Sequence, residues 1–175
     1  KLDRQAQIER ARALYAEAGY SKDKPLKVTI TYNTSDAHKK IAVAVAAMWK
    51  QVLGVQAELE NQEWKVMLSN LNQKNVEVYR YAWIGDYNDA NTFLELYTSK
   101  AGLNGSGYSN AKYDELLQQA SQEQDAGKRA ALLQAAEKQL VDDYVIAPIY
   151  NYVSKRLVKP YVKGYTANVM NLNPS

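Results

Sequence analysis

From Val78 to Asp89 the chain reads Val-Tyr-Arg-Tyr-Ala-Trp-Ile-Gly-Asp-Tyr-Asn-Asp, which puts a base, Arg80, and an acid, Asp86, on either side of Tyr81 and Trp83. A guanidinium at such a place can hold an anion and a carboxylate can hold an ammonium group. If this stretch is a β-strand, alternation sets Arg80 on the face shared by Val76, Val78 and Ala82. An arginine there must find an anion or reach water, because an unpaired buried charge is costly. It falls towards the carboxyl end of a strand, where ligand crevices of open α/β sheets form. Asp86 follows in the turn that leaves the sheet, with Gly85 expected to give the backbone freedom. A second reading stays open at this point, in which Arg80 and Asp86 pair with each other or with neighbours.

His38 stands in the first turn of a predicted helix, where it either packs or caps, or meets an anion with help from the helix dipole. Trp64, at the start of another helix beside a strand end, reads as core or as ligand contact. Catalytic chemistry finds little to hold. With one histidine and no cysteine, a Cys-His pair is excluded and a Ser-His-Asp triad would have to use His38. There is no Gly-x-Ser-x-Gly elbow, glycine-rich phosphate loop or His-Glu-x-x-His helix. Gly102 to Gly107 follows a helix, not a strand, and Asp142-Asp143 reads as a pair of surface groups at a helix end.

These groups need a scaffold, and the 175 residues are enough for one substantial core. Apolar residues make up 46% and charged residues 23%, and the 22 basic and 19 acidic side chains are mixed along the chain rather than clustered into a nucleic-acid footprint. Fourteen tyrosines stand against one phenylalanine, an excess that suits either a surface gripping varied ligands or an aromatic core. Without cysteine there is neither disulfide nor thiolate site. No apolar run nears the ~20 residues that cross a bilayer, and no signal peptide is apparent. The opening Lys1-Leu2-Asp3-Arg4 already reads as helix, as expected of a mature or truncated form.

The periodicity predicts a helix over 3–18, ended by Gly19, and a strand over 26–32. A helix capped by Ser35 or Asp36 follows, facing inward with Ile41, Val45, Met48, Trp49 and Val52 and stopping at Gly54. A strand over 55–59, a helix over 63–73 with Trp64, Met67, Leu68 and Leu71 inward, and a strand over 76–83 complete a parallel strand–helix alternation. Further on come a short helix over 92–98, a loop over 99–109, and helices over 113–121 and 127–143 with Leu133, Ala136 and Leu140 inward. Residues 145–153 read as a strand interrupted by Pro148, with Arg156-Leu157-Val158 pairing back. The chain reads as a single α/β domain.

Arg80 to Asp89 resembles the signature of the family-5 solute-binding proteins, the peptide-binding components of ABC importers. Gly107-Tyr108-Ser109-Asn110-Ala111-Lys112-Tyr113-Asp114 is similar to that family's glycine-tyrosine-x-asparagine loop, and Ala135 to Leu140 through Ala147-Pro148-Ile149-Tyr150 to its last helix and strand. Tyr32 to Lys40, Asn61 to Trp64 and Leu157 to Pro160 look closest to the proteobacterial oligopeptide-binding branch. The likeness runs in order over nearly the whole chain.

The resemblance implies an α/β lobe of a two-lobed type II periplasmic binding protein, with a mixed sheet flanked by helices. Residues 1–153 would form the C-terminal peptide-binding lobe, and 154–175 a hinge-proximal segment returning towards an N-terminal lobe outside this chain. The protein would be periplasmic, from a Gram-negative bacterium, not an enzyme, and without a cofactor; one histidine and no cysteine also argue against the direct metal ligation of a nickel or haem carrier. Its partners would be short peptides and an inner-membrane ABC permease. Asp86 would meet the peptide ammonium, Arg80 and His38 its carboxylate, directly or through water. Trp64 and Trp83 would line side-chain pockets beside Gly85, and Tyr165 would close over the ligand. A receptor for murein peptides on the same scaffold, or a hydrolase using His38, are the alternatives. The chain departs from the family pattern at Asn88-Asp89-Ala90, where many members carry a proline, and at Leu71, where close relatives can carry a base, which bears on carboxylate capture in longer peptides.

Overall fold

The structure, a computed structural model, describes residues 3–153, 155 and 157–165. The chain gathers into two compact units, Lys1–Ala82 and Trp83–Ser175.

In the first unit, helix α1 (Arg4–Glu17) precedes strand β1 (Lys27–Asn33), helix α2 (Asp36–Leu53), strand β2 (Gln56–Gln62), helix α3 (Trp64–Asn72) and strand β3 (Val78–Tyr79). The strands lie in the order β2-β1-β3, all parallel, with Lys27 opposite Gln56 through to Asn33 opposite Gln62. Being central, β1 is buried on both faces: Ile30 and Tyr32 enter the core with Ala42 of α2, while Thr31, on the other face, donates to Glu60 Oε2 at 3.1 Å. The sequence stops work as read at Gly54, whose φ of 79° ends α2 in the left-handed conformation that glycine adopts without strain. Ser35 takes the cap position, yet its hydroxyl makes no cap bond. Met48 does not face inward as predicted but stands 49% exposed, because the small Ala42 and Ala46 bring the α2 face centred on them, rather than Met48, onto the sheet. Helix α1 buries no residue fully; it is tied down by polar contacts, Arg12 Nε donating to the Val52 carbonyl and the Leu26 N–H to the Tyr15 hydroxyl at 2.7 Å.

Strand β3 is much shorter than the predicted 76–83. Glu77 Oε2 accepts the Thr29 N–H at 2.7 Å, so a side chain takes a place in the ladder and regular pairing starts only at Val78. The last ladder bond runs from the Arg80 N–H to the Thr31 carbonyl.

The second unit holds helix α4 (Asn91–Leu94), a 3₁₀ turn (Glu95–Tyr97), and helices α5 (Ala111–Gln122) and α6 (Ala126–Asp142). Its core is Leu94, Tyr113, Leu117, Ala120, Leu133, Ala136 and Leu140, with the Tyr113 hydroxyl donating to the Leu94 carbonyl at 2.6 Å. Both long helices start on side-chain caps, Asn110 for α5 and Asp125 for α6. The loop before α5 is gathered around buried Asn104, whose Nδ2 donates to the Thr98 and Tyr108 carbonyls. The strand predicted over 145–153 is absent among the described residues. Val145 and Ile146 pack against the helical core, but Ile149 and Val153 stand 64% and 76% exposed, with no neighbouring strand among the described residues and with Pro148 lacking a donor. Leu157 is fully exposed, and the predicted return pairing involves Arg156, which lies outside the described residues.

Candidate functional site

In a parallel sheet all strands end on one edge. Ligand crevices of open α/β sheets form outside the carboxyl ends of such strands. The sequence-predicted groups of the first unit each follow a strand end there: His38 after β1, Trp64 after β2, Arg80 and Tyr81 after β3.

His38 is half-buried in the first turn of α2, and its Nδ1–H donates to the Asn33 main-chain carbonyl at 3.2 Å. That bond fixes the ring and leaves Nε2 for another partner. Asn33 itself was not singled out by sequence reasoning. Its side-chain Oδ1 is buried with no hydrogen-bond partner among the described residues, at the carboxyl end of the central strand. A polar residue closing a β-rich run was the only signal, and it is a weak one.

Trp64 does not point inward. It is 42% exposed and stacks on Tyr81, ring centroids 6.3 Å apart and planes 21° off parallel. Tyr79 meets Tyr81 edge-on at 6.1 Å. Glu63 caps α3, accepting from the Lys65 and Val66 N–H groups, and this fixes where the Trp64 ring leaves the helix. Burial pushes the Tyr81 hydroxyl above the usual phenol range. Arg80 is half-buried just past β3. Leu71, 4% exposed, is core.

In the second unit, Asp86 is exposed and its carboxylate takes no hydrogen bond or ion pair among the described residues of that unit, while its N–H donates to Thr92 Oγ1 at 3.0 Å. Gly85 earns its place by space rather than by backbone freedom: its φ lies outside the left-handed region, and an added Cβ would meet Thr92 Cγ2 at 3.1 Å and the Phe93 ring at 3.3 Å. Asp89 is held by Arg129 through two bonds of 2.6 and 2.9 Å, which keep its carboxyl below the usual range. Tyr87 donates to Glu95 and accepts from Asn91. Trp83 is half-buried, with its indole N–H unpartnered among the described residues. Tyr165, the last described residue, is 37% exposed. Among the described residues no cluster of histidine and carboxylate groups could hold a metal ion.

The sequence model of the bacterial extracellular solute-binding proteins, family 5 Middle, matches residues 1–105. The chain belongs to this family. Among family-5 relatives it is 50% identical over 158 residues to the periplasmic murein peptide-binding protein MppA of Escherichia coli K12, covering 90% of this chain and 29% of that protein. It is 45% identical over 166 residues to the periplasmic oligopeptide-binding protein OppA of Salmonella typhimurium, covering 95% and 31%. Of solved structures, the E. coli murein tripeptide-binding protein superposes with a TM-score of 0.89 at 46% identity over 98% of this chain and 33% of that one. Haemophilus influenzae OppA in complex with RPPGFSPFR gives 0.85 at 42% identity, over 95% and 34%. The fold class is therefore the α/β one of the type II periplasmic binding proteins. The chain spans about a third of the length of the curated relatives it matches.

Proposed function

We propose that this chain is the carboxy-terminal lobe, residues 1–153 with a hinge-proximal segment over 154–175, of a periplasmic solute-binding protein that captures short peptides by their charged termini and delivers them to an inner-membrane ABC permease. The observation that carries this reading is Asp86: an exposed carboxylate without a partner among the described residues of its own unit, on a loop where the side chains of Tyr87, Asp89, Asn91 and Thr92 are engaged. An ammonium group is its natural complement. Arg80 and His38 are the carboxylate partners, and with Nδ1–H spent on Asn33, His38 acts through Nε2, directly or through water. The exposed Trp64–Tyr81 stack of the first unit offers a flat apolar wall to a side chain, and in the second unit Trp83, Gly85 and Tyr165 are the proposed ligand contacts. A zwitterionic peptide needs an acid for one terminus and a base for the other, while main-chain contacts and wet pockets tolerate varied side chains. The activity is binding without turnover.

A murein peptide is the second ligand class, favoured by the 50% identity to a murein peptide-binding relative. Isothermal titration of the full-length protein, wild type and Asp86→Asn, with tri-lysine, its N-acetylated form and a murein tripeptide tests both. Loss of the carboxylate costs roughly 2–5 kcal/mol of affinity if it pairs with a desolvated ammonium, and acetylation abolishes the difference between the two proteins. Equal binding of tri-lysine by both proteins would sink the ammonium assignment. Tight binding of the murein tripeptide alone would shift the ligand class.

A further inference from the structure

The Asp86 loop contains no proline from Ile84 to Phe93, so its backbone has little intrinsic stiffness. Its order comes from side chains. Thr92, fully buried, accepts the Asp86 N–H at 3.0 Å, and the Thr92 N–H in turn donates to the Asp89 carbonyl at 3.3 Å. Asp89 Oδ1 accepts the Asn91 N–H at 2.8 Å, which starts α4. Among the described residues, the long-range attachment of Asp89 is Arg129, forty positions on, in the first turns of α6. A cation near a helix N-terminus runs against the helix dipole, so Arg129 is poorly placed for the helix and well placed for a carboxylate. Its planar fork matches the Asp89 carboxylate with two hydrogen bonds, a geometry that fixes orientation as well as distance.

We propose that Arg129 is a positioning residue for ligand capture: through Asp89 it fixes the loop from Asp86 to Thr92 and so aims the Asp86 carboxylate at the ammonium group of a bound peptide. This rests on the reading of Asp86 as the ammonium partner. Arg129 touches no ligand in this scheme; it acts on one end of the peptide only, by holding the acceptor still. Recognition groups held by a supporting shell lose affinity when that shell is cut, even though every contact residue remains.

The test uses the full-length protein with tri-lysine and N-acetyl-tri-lysine, and its readout is the ratio of the two affinities, which a general loss of stability would not change. Arg129→Ala is expected to shrink that ratio about tenfold, with affinity for the acetylated peptide unchanged within about twofold. Arg129→Lys should keep part of the ratio, and the exchange Asp89→Arg with Arg129→Asp should recover part of what Arg129→Ala loses. Should Arg129→Ala fail to fold, Arg129→Gln carries the same comparison. An unchanged ratio in Arg129→Ala, or equal weakening of both peptides, would overturn the proposal. Asp86→Asn, run alongside, separates the two layers: if it also leaves the ratio unchanged, the Asp86 assignment falls first and the positioning role with it.

Discussion

The two units of this chain present their candidate groups by different physical means. In the sheet unit, backbone topology does the placing: three parallel strands end on one edge, and His38, Trp64 and Arg80 follow those ends whatever their side chains do. In the helical unit, Asp86 sits on an irregular loop, and its place depends on a set of side-chain bonds involving Thr92, Asp89, Asn91 and Arg129. The first arrangement tolerates surface substitution and fails only with the core. The second fails one polar contact at a time.

The strongest way to break this contrast is to attack the core beneath the loop. Tyr113 is fully buried and its hydroxyl holds the Leu94 carbonyl of α4. Tyr113→Ala is expected to cost about 3–5 kcal/mol in urea denaturation, with Tyr113→Phe recovering most of the packing but leaving that carbonyl unsatisfied. If Tyr113→Ala cost under about 1 kcal/mol, the helical core would not be what supports α4.

A smaller effect isolates the polar clamp. Asp89 is held below the usual carboxylate range by its hydrogen bonds with Arg129, so it contributes stability that is fully present above its unfolded pKa of about 3.9 and is lost as pH falls through its lower folded value. Asp89→Asn should therefore lower the melting temperature at neutral pH, by about a few degrees at most for this partly exposed pair. The gap to wild type should close as pH falls through the lowered folded value of Asp89. A gap independent of pH would mean that the carboxylate charge is irrelevant to the clamp.

The smallest effect sharpens the description of the sheet unit. Trp64 and Tyr81 stack at its surface, and a double-mutant cycle to alanine is expected to give a coupling of about 0.5–1.5 kcal/mol. Because burial is what raises the Tyr81 hydroxyl, Trp64→Ala should bring its titration, followed by ultraviolet absorbance, back towards the ordinary phenol value. An unmoved titration would assign that burial to other neighbours.

What the sequence disclosed follows the same division. The βαβαβ order, the parallel pairing, the Gly54 stop and the inward face of α6 are local patterns, and local patterns are legible. The Arg80–Asp86 stretch stands out in the sequence too, as opposite charges flanking aromatics in a β-rich run, and its ligand role is part of the proposed function. What escaped depends on distant residues. The Asp89–Arg129 pair spans forty positions, beyond any periodicity. Trp64 follows the apolar spacing of α3, but it occupies the first helical position, and the turn there swings its ring outward onto Tyr81. The segment 145–153 has strand composition, yet composition supplies no partner, and among the described residues no strand neighbours it. Asn33 and Asn104 looked like ordinary loop residues, because nothing in their neighbours marks a buried amide.

The central position of β1 also sets an order of events. Its ladder bonds join segments about thirty residues apart on one side and about fifty on the other, so neither edge can zip from a hairpin, and each waits on closure of a long crossover loop. The α5–α6 pair, joined by three residues between Gln122 and Ala126, closes a short loop instead. A chain emerging unfolded would thus acquire its helical core early and its sheet late, and the strand-end edge that carries His38 and Arg80 would be among the last surfaces to take shape.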